Sequence, residues 1–193
     1  MSKMIPNSEA ALPEATLPFL DVEMFREPAR EGAGRGLFDT FPLDDGKAAL
    51  VVGDAIGEGP APIYTDEVKN VLRTRLRECP YPARALSFLN DYLCDAACLG
   101  GDGGPGRMTL SLAVVDPVWG ECAFAVAGAD RPILLHAGGD VEIVGAKGPV
   151  IGSVPGFAYR VETRHLGTGD TLLMATDALL GERDICLLVA HRQ

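Results

Sequence analysis

The second half of the chain is a succession of short β-forming segments, and this order constrains the fold more than any other feature of the sequence. The segments cover residues 108–116, 121–127, 132–136, 141–144, 159–165, 171–176 and 185–190. Short turns rich in glycine, proline and aspartate separate most of them. Strands joined by such turns pair antiparallel, so this half predicts antiparallel sheets and not the βαβ alternation of a parallel sheet.

Strands and two helices are also predicted in the first half of the chain. The strands cover residues 20–25, 37–42 and 47–54, and Asp44-Asp45-Gly46 forms a tight hairpin turn between the last two. The helices cover residues 62–78 and 82–97, because apolar residues recur at helical spacing and each segment opens near a proline. We therefore expect about ten strands in two face-to-face sheets, with the helices laid against one of them.

The chain is predicted to form a single domain over residues 17–193. Residues 1–16 are rich in alanine, proline and glutamate and are expected to be a loose N-terminal lead-in. A chain of 193 residues suits one domain with a substantial core.

The composition is that of an acidic globular protein. Apolar residues make up 47% and charged residues 23%, and the formal net charge is −10. This charge would repel a phosphate backbone, which argues against nucleic acid as a partner. No apolar run approaches the roughly 20 residues that span a bilayer, and the first residues lack a signal-peptide pattern. The sequence therefore predicts a cytoplasmic protein without a membrane partner, and its five cysteines are expected to be reduced.

Two aspartates stand at the ends of apolar strands, where a carboxylate needs a partner. Asp54 closes the strand at 47–54, just before a glycine-rich stretch. It is placed to bind a metal ion, to form a turn or to cap a helix. Asp177 follows the strand at 171–176 and must be solvated, paired or metal-bound.

Six stretches resemble, in order and spacing, the motifs of the SpoIIE branch of metal-dependent (PPM, type 2C-like) serine/threonine phosphatases. They are PARE at 28–31, FDTFPLDDG at 38–46, GDAIGEG at 53–59, AGxxxP at 127–132, GPxxGxxP at 148–155 and GDTLLxxTD at 169–177. The likeness extends over residues 17–192. It implies an α+β, α/β/β/α-like sandwich of two mainly antiparallel sheets flanked by helices.

The resemblance also implies a metal-dependent mechanism. Two Mn²⁺ or Mg²⁺ ions between the sheets would bind the phosphoryl oxygens and activate a water molecule. The water would be the nucleophile, so no side chain is predicted to be catalytic. By the match of motifs, Asp54 would bridge the ions, Ala55 would add its backbone carbonyl, and Asp177 would be a further ligand.

The same comparison of motifs identifies departures that remove ligands. Arg35 stands where the family has the aspartate of a Gly-Gly-Asp motif, and Arg183 takes the place of an aspartate before the last strand. Asp184 and Asp39 are candidate substitutes. The two arginines would repel a nearby dication, but they could also bind the substrate's phosphate or lie in solvent.

The family usually has a few dozen residues, including a helix, between the positions of Asp177 and Asp184. Here only residues 178–183 separate them, which predicts a short connection, such as a hairpin, in place of that segment.

Two functions follow as alternatives. One is metal-dependent hydrolysis of phosphoserine or phosphothreonine on a regulatory protein. The other is a pseudophosphatase that keeps the fold as a binding surface for a phosphoprotein or regulatory partner. With two expected carboxylates replaced, the site is expected to hold one weak cation or none rather than two.

Overall fold

A computed structural model describes residues 17–27, 36–56, 61–99, 106–176 and 185–193. Its strands are β1 (Leu20–Glu27), β2 (Gly36–Pro42), β3 (Ala48–Ile56), β4 (Arg107–Val115), β5 (Glu121–Ala127), β6 (Ile133–Leu135), β7 (Val141–Ile143), β8 (Lys147–Gly148), β9 (Glu162–His165), β10 (Thr171–Ala175) and β11 (Ile185–Arg192). Its helices are α1 (Ala61–Glu78) and α2 (Pro82–Leu99).

The strands form two sheets. Sheet A has five strands in the order β1-β11-β10-β6-β7, and all neighbouring pairs in it are antiparallel. Sheet B has the order β2-β3-β4-β5-β8, and β9 also pairs with β5. In sheet B only the short β5–β8 pair is parallel. The architecture is therefore the mainly antiparallel double sheet that the sequence predicts.

The buried residues fall into two layers that share the strands of sheet B. One layer lies between the sheets and includes Leu50, Val52 and Phe124 from sheet B and Leu172 and Leu188 from sheet A. The other lies between sheet B and the two helices and brings Leu72 and Leu89 against β-strand residues such as Val51 and Leu112. Because β3, β4 and β5 are buried on both faces, they read as continuous apolar runs in the sequence.

The hairpin turn between β2 and β3 has the backbone that its residues favour. Asp45 and Gly46 have φ values of 62° and 75°, which glycine and aspartate tolerate better than most residues. The turn sets the register in which Phe41 pairs with Ala49 and Gly36 pairs with Asp54. This register decides which β2 and β3 side chains share a face.

Most predicted elements are confirmed, with small corrections. Both helices pack on sheet B, as expected for helices laid against one sheet. The strand predicted at 159–165 begins only at Glu162, and the two-residue strand β8 was not predicted. β10 and β11 pair antiparallel as neighbours, which agrees with the predicted short connection, although residues 177–184 themselves lie outside the described part of the chain.

Candidate functional site between the sheets

The alternation of side chains along β3 places Asp54 between the two sheets. Ala48, Leu50 and Val52 face the layer between the sheets, whereas Ala49 and Val51 face the helices. Successive side chains of a strand point to opposite faces, so Asp54 lies on the same side as Val52. Only 2% of Asp54 is exposed. A carboxylate is thus carried into the interior near the end of an apolar strand, which continues for two residues beyond the predicted end at Asp54.

The neighbours of Asp54 in sheet B are small or polar. Its register partner in β2 is Gly36, which has no side chain, and its partner in β4 is Thr109. The Thr109 hydroxyl donates a hydrogen bond to the Asp54 carbonyl oxygen at 3.3 Å. A residue without a side chain and a residue with a hydroxyl therefore flank Asp54 in sheet B, unlike the apolar neighbours earlier in β3.

Sheet A contributes Thr176 to the layer between the sheets. Thr176 is buried and continues the alternation of Leu172 and Met174, whose side chains pack between the sheets. Its N–H donates to the Cys186 carbonyl oxygen, and the Cys186 N–H donates to Thr176 Oγ1, both at 2.9 Å. These two bonds fix the last residue before Asp177, which lies outside the described residues.

Two further hydroxyls on this face of sheet B were not identified from the sequence. Ser111 lies two residues beyond Thr109 in β4, opposite Val52, and is fully buried. The Oγ1 atom of Thr40 in β2 is buried as well, and neither hydroxyl has a hydrogen-bond partner among the described residues. The available signal was the alternation of polar Thr109 and Ser111 with leucines in an otherwise apolar strand.

Asp39 lies on the other face of sheet B. It shares the side of Leu37 and Phe41, which pack against the helices. Two hydrogen bonds join it to Arg73 of α1, from Nε at 2.8 Å and from Nη2 at 2.7 Å. The hydrogen bond to Asp39 raises the pKa of Arg73, although partial burial acts in the opposite direction. The structure therefore does not bring Asp39 together with Asp54.

Of the remaining site residues predicted from the sequence, one lies in the described part of the chain and four do not. Ala55 pairs with Met108 in the β3–β4 ladder, and its side chain packs on the helix side. Arg35, Asp177, Arg183 and Asp184 lie outside the described residues. Within the described residues, no group of three or more His, Cys, Asp or Glu side chains could hold a metal ion.

The buried carboxylate of Asp54 and the hydroxyl of Thr109 beside it are oxygen groups of the kind that hard cations bind. Mg²⁺ commonly keeps several waters and binds one or two carboxylates together with phosphate oxygens. Asp54, with Asp177 following the fixed Thr176, would meet that need.

Neither α1 nor α2, the helices of the described residues, has the length and hydropathy needed to cross a bilayer.

The fold and the motifs agree with comparisons to known proteins. The family described as Stage II sporulation protein E (SpoIIE) matches residues 44–188, which is more than half of the chain. Protein IcfG of Synechocystis is 24% identical over 180 residues, and the match covers 81% of this chain and 28% of IcfG. The chain thus spans under a third of that relative's length.

Solved structures with the same fold include phosphatase domains. RsbX in complex with magnesium has a TM-score of 0.76 at 12% identity and is matched over 94% of this chain and 99% of its own. The RsbU and RsbW domains of a Mycobacterium tuberculosis protein have a TM-score of 0.74 at 22% identity. The match covers 92% of this chain and 62% of that protein's chain. The PP2C phosphatase domain of SpoIIE from Bacillus subtilis, with a fragment of its regulatory domain, has a TM-score of 0.71 at 18% identity. The match covers 90% of this chain and 62% of the SpoIIE chain.

At these identities the solved structures show the fold, and the family match adds the lineage. Two sheets with two helices on one of them, the SpoIIE motifs and the matched residues 44–188 agree with one another. The chain belongs to the SpoIIE family, and its fold is that of the PP2C phosphatase domain of SpoIIE.

Proposed function

We propose that this domain hydrolyses phosphoserine or phosphothreonine on a regulatory protein with the help of one Mn²⁺ or Mg²⁺ ion. Asp54 and Asp177 would hold the ion, the Ala55 carbonyl would be an additional ligand, and Asp184 a further candidate. The observation that carries the proposal is the position of Asp54, because β3 buries between the sheets the carboxylate that the SpoIIE motif assigns to a metal ion. The magnesium complex of RsbX supports it by analogy.

The bound cation would supply charge for the phosphoryl oxygens and an acidified water. The chain's own part would be positional. The ladder partners of Asp54 hold its backbone, and the two hydrogen bonds at Thr176 fix the strand end from which Asp177 follows. Arg35 directly precedes Gly36, the register partner of Asp54, so its guanidinium is a candidate for the substrate's phosphate. Arg183 is a weaker candidate.

A second candidate function is a pseudophosphatase, and the Asp39–Arg73 pair favours it. Asp39 is one of the carboxylates that could have replaced the missing ligands, and it is neutralised on the opposite face of sheet B. In that case the domain would bind a phosphoprotein or regulatory partner without turnover. For either function we propose a cytoplasmic setting, a single domain over 17–193 and a protein partner. One structural relative is described as part of the bacterial stressosome.

An assay with paired variants separates the two functions. Wild-type protein, Asp54→Asn and Asp39→Asn would be titrated with Mn²⁺ by calorimetry and assayed with p-nitrophenyl phosphate and a phosphoserine peptide. The phosphatase proposal predicts Mn²⁺-dependent turnover that Asp54→Asn abolishes and Asp39→Asn retains. Binding of the phosphoserine peptide without turnover at any Mn²⁺ concentration would establish the pseudophosphatase instead.

A further inference from the structure

The outer face of sheet A, which points away from sheet B, is largely apolar. The strand registers align its outward side chains in three rows across the sheet. The rows are Asp21, His191, Thr171, Leu135 and Val141; then Glu23, Val189, Leu173, Ile133 and Ile143; then Phe25, Leu187 and Ala175. We call the apolar members of these rows the outer apolar face.

The outer apolar face is open to solvent in the described structure. Val141, Ile143 and Phe25 are 65%, 54% and 47% exposed, and the apolar residues between them are partly exposed. Sheet B differs, because α1 and α2 bury its outer face. No described segment covers sheet A in the same way. The largest contiguous apolar patch on the surface of a protein is often functional.

The dimensions of the face argue against a second copy of the chain. Five strands about 4.8 Å apart span about 19 Å, and three rows of alternate residues span about 14 Å along the strands. The projected area is therefore roughly 300 Å², and even twice that falls short of the about 800 Å² per partner of a stable dimer. A helix about 10 Å wide and three to four turns long fits these dimensions.

The charged residues beside the outer apolar face indicate which kind of partner can bind there. Asp21 and Glu23 lie in two of the rows, Asp140 directly precedes Val141, and all three carboxylates are exposed. The chain as a whole carries −10. Such a field disfavours anionic membrane surfaces and acidic peptides and favours lysine and arginine on the flanks of the docked element.

We propose that the outer apolar face of sheet A binds an amphipathic α-helix of a protein partner, with an apolar stripe on the sheet and basic residues towards Asp21, Glu23 and Asp140. The site is separate from Asp54, which lies on the inner side of the sandwich, so docking does not depend on whether the domain hydrolyses phosphate. A helix bound here would give sheet A the outer layer that α1 and α2 give sheet B.

The probe is a fluorescein-labelled 16-residue helix with leucines along one stripe and lysines on its flanks. Its binding to the whole chain would be measured by fluorescence anisotropy at physiological salt. We expect Ile143→Lys and Phe25→Lys, at opposite sides of the face, each to weaken binding at least tenfold. Val118→Lys changes an equally exposed residue in the turn between β4 and β5 and should alter binding less than twofold.

Two comparisons keep the proposal open to refutation. A helix with glutamate in place of lysine should bind at least fivefold more weakly. If the Ile143→Lys variant does not fold, Val141→Lys replaces it. Equal binding by Ile143→Lys and Val118→Lys, or equal binding of the two helices, would overturn the proposal. So would a dimer in sedimentation, or binding to phosphatidylcholine vesicles, that Ile143→Lys abolishes, because the occupant would then be a second copy or a lipid surface.

Discussion

Asp39 and Asp54 are buried carboxylates on paired strands, and their surroundings differ because they face different layers of the fold. Asp39, 8% exposed, points towards the helices, where α1 supplies Arg73 to neutralise it. Asp54, 2% exposed, points between the sheets, where sheet A brings Thr176 and the apolar residues of β10 and β11. The comparison shows that the face of the strand, and not the residue type, decides which groups surround each carboxylate.

The largest effect should be seen when Mn²⁺ is used to stabilise the fold. A ligand at 100 times its Kd adds about 2.7 kcal/mol to the free energy of unfolding, or roughly 5–11 °C in Tm for a domain of this size. Wild-type protein and Asp39→Asn should show this rise in differential scanning calorimetry, and Asp54→Asn should not. A rise that survives in Asp54→Asn and disappears in Asp39→Asn would reverse the assignment of the two faces.

A smaller effect is expected from removing the partner of Asp39. Arg73→Leu leaves a carboxylate that is largely buried without its two hydrogen bonds, which should cost about 1–2 kcal/mol of the free energy of unfolding. Urea denaturation measures this loss. The double variant Asp39→Leu with Arg73→Leu should recover part of it, because no carboxylate is then buried alone. An unchanged free energy of unfolding in Arg73→Leu would show that the buried Asp39 carboxylate does not depend on Arg73 for its stability.

The smallest effect concerns a third buried carboxylate, Asp170 at the start of β10. Burial raises its pKa, but the N–H groups of Ala137 and Gly167 and the His136 ring outweigh burial and lower the pKa overall. Because the pKa of Asp170 is lower in the folded state, its ionised carboxylate stabilises the fold at pH values above the unfolded-state pKa of about 3.9. This stabilisation is lost as the pH falls through the folded-state pKa.

Asp170→Asn should therefore be less stable than wild type at pH 7, and the difference should shrink as the pH falls below about 4. Thermal unfolding between pH 3 and 7 tests this, with exposed Asp140→Asn as the control. A difference that is constant across this range would show that Asp170 contributes by packing alone.

The sequence predicts the fold well where side-chain period and turn chemistry are unambiguous. The apolar run at 47–54 and the Asp45-Gly46 turn fix the β2–β3 hairpin, and the helical spacing of leucines fixes α2. It predicts less well where pairing is brief. β8 has two residues and no pattern of its own, and its pairing with β5 depends on the packing of Gly148 beneath Tyr159 and Phe157.

The site could be predicted only in part, because alternation gives a face but not the neighbour across the layer. Asp54 is recognisable at the end of its strand, and its face follows from the alternation of β3. The Asp39–Arg73 pair joins residues 34 positions apart and depends on how α1 crosses sheet B, which no local pattern encodes. The buried hydroxyl of Ser111 could have been found from the alternation of polar residues and leucines in β4, but that alternation does not show what lies opposite it.

We propose that Asp54, and not Asp39, binds the cation between the sheets. Anomalous diffraction at the manganese edge from crystals soaked in Mn²⁺ tests it most directly. We predict a single strong peak between the sheets, about 2.1 Å from a carboxylate oxygen of Asp54. A peak on the helix side of sheet B, or a manganese ion bound without Asp54, would contradict the account.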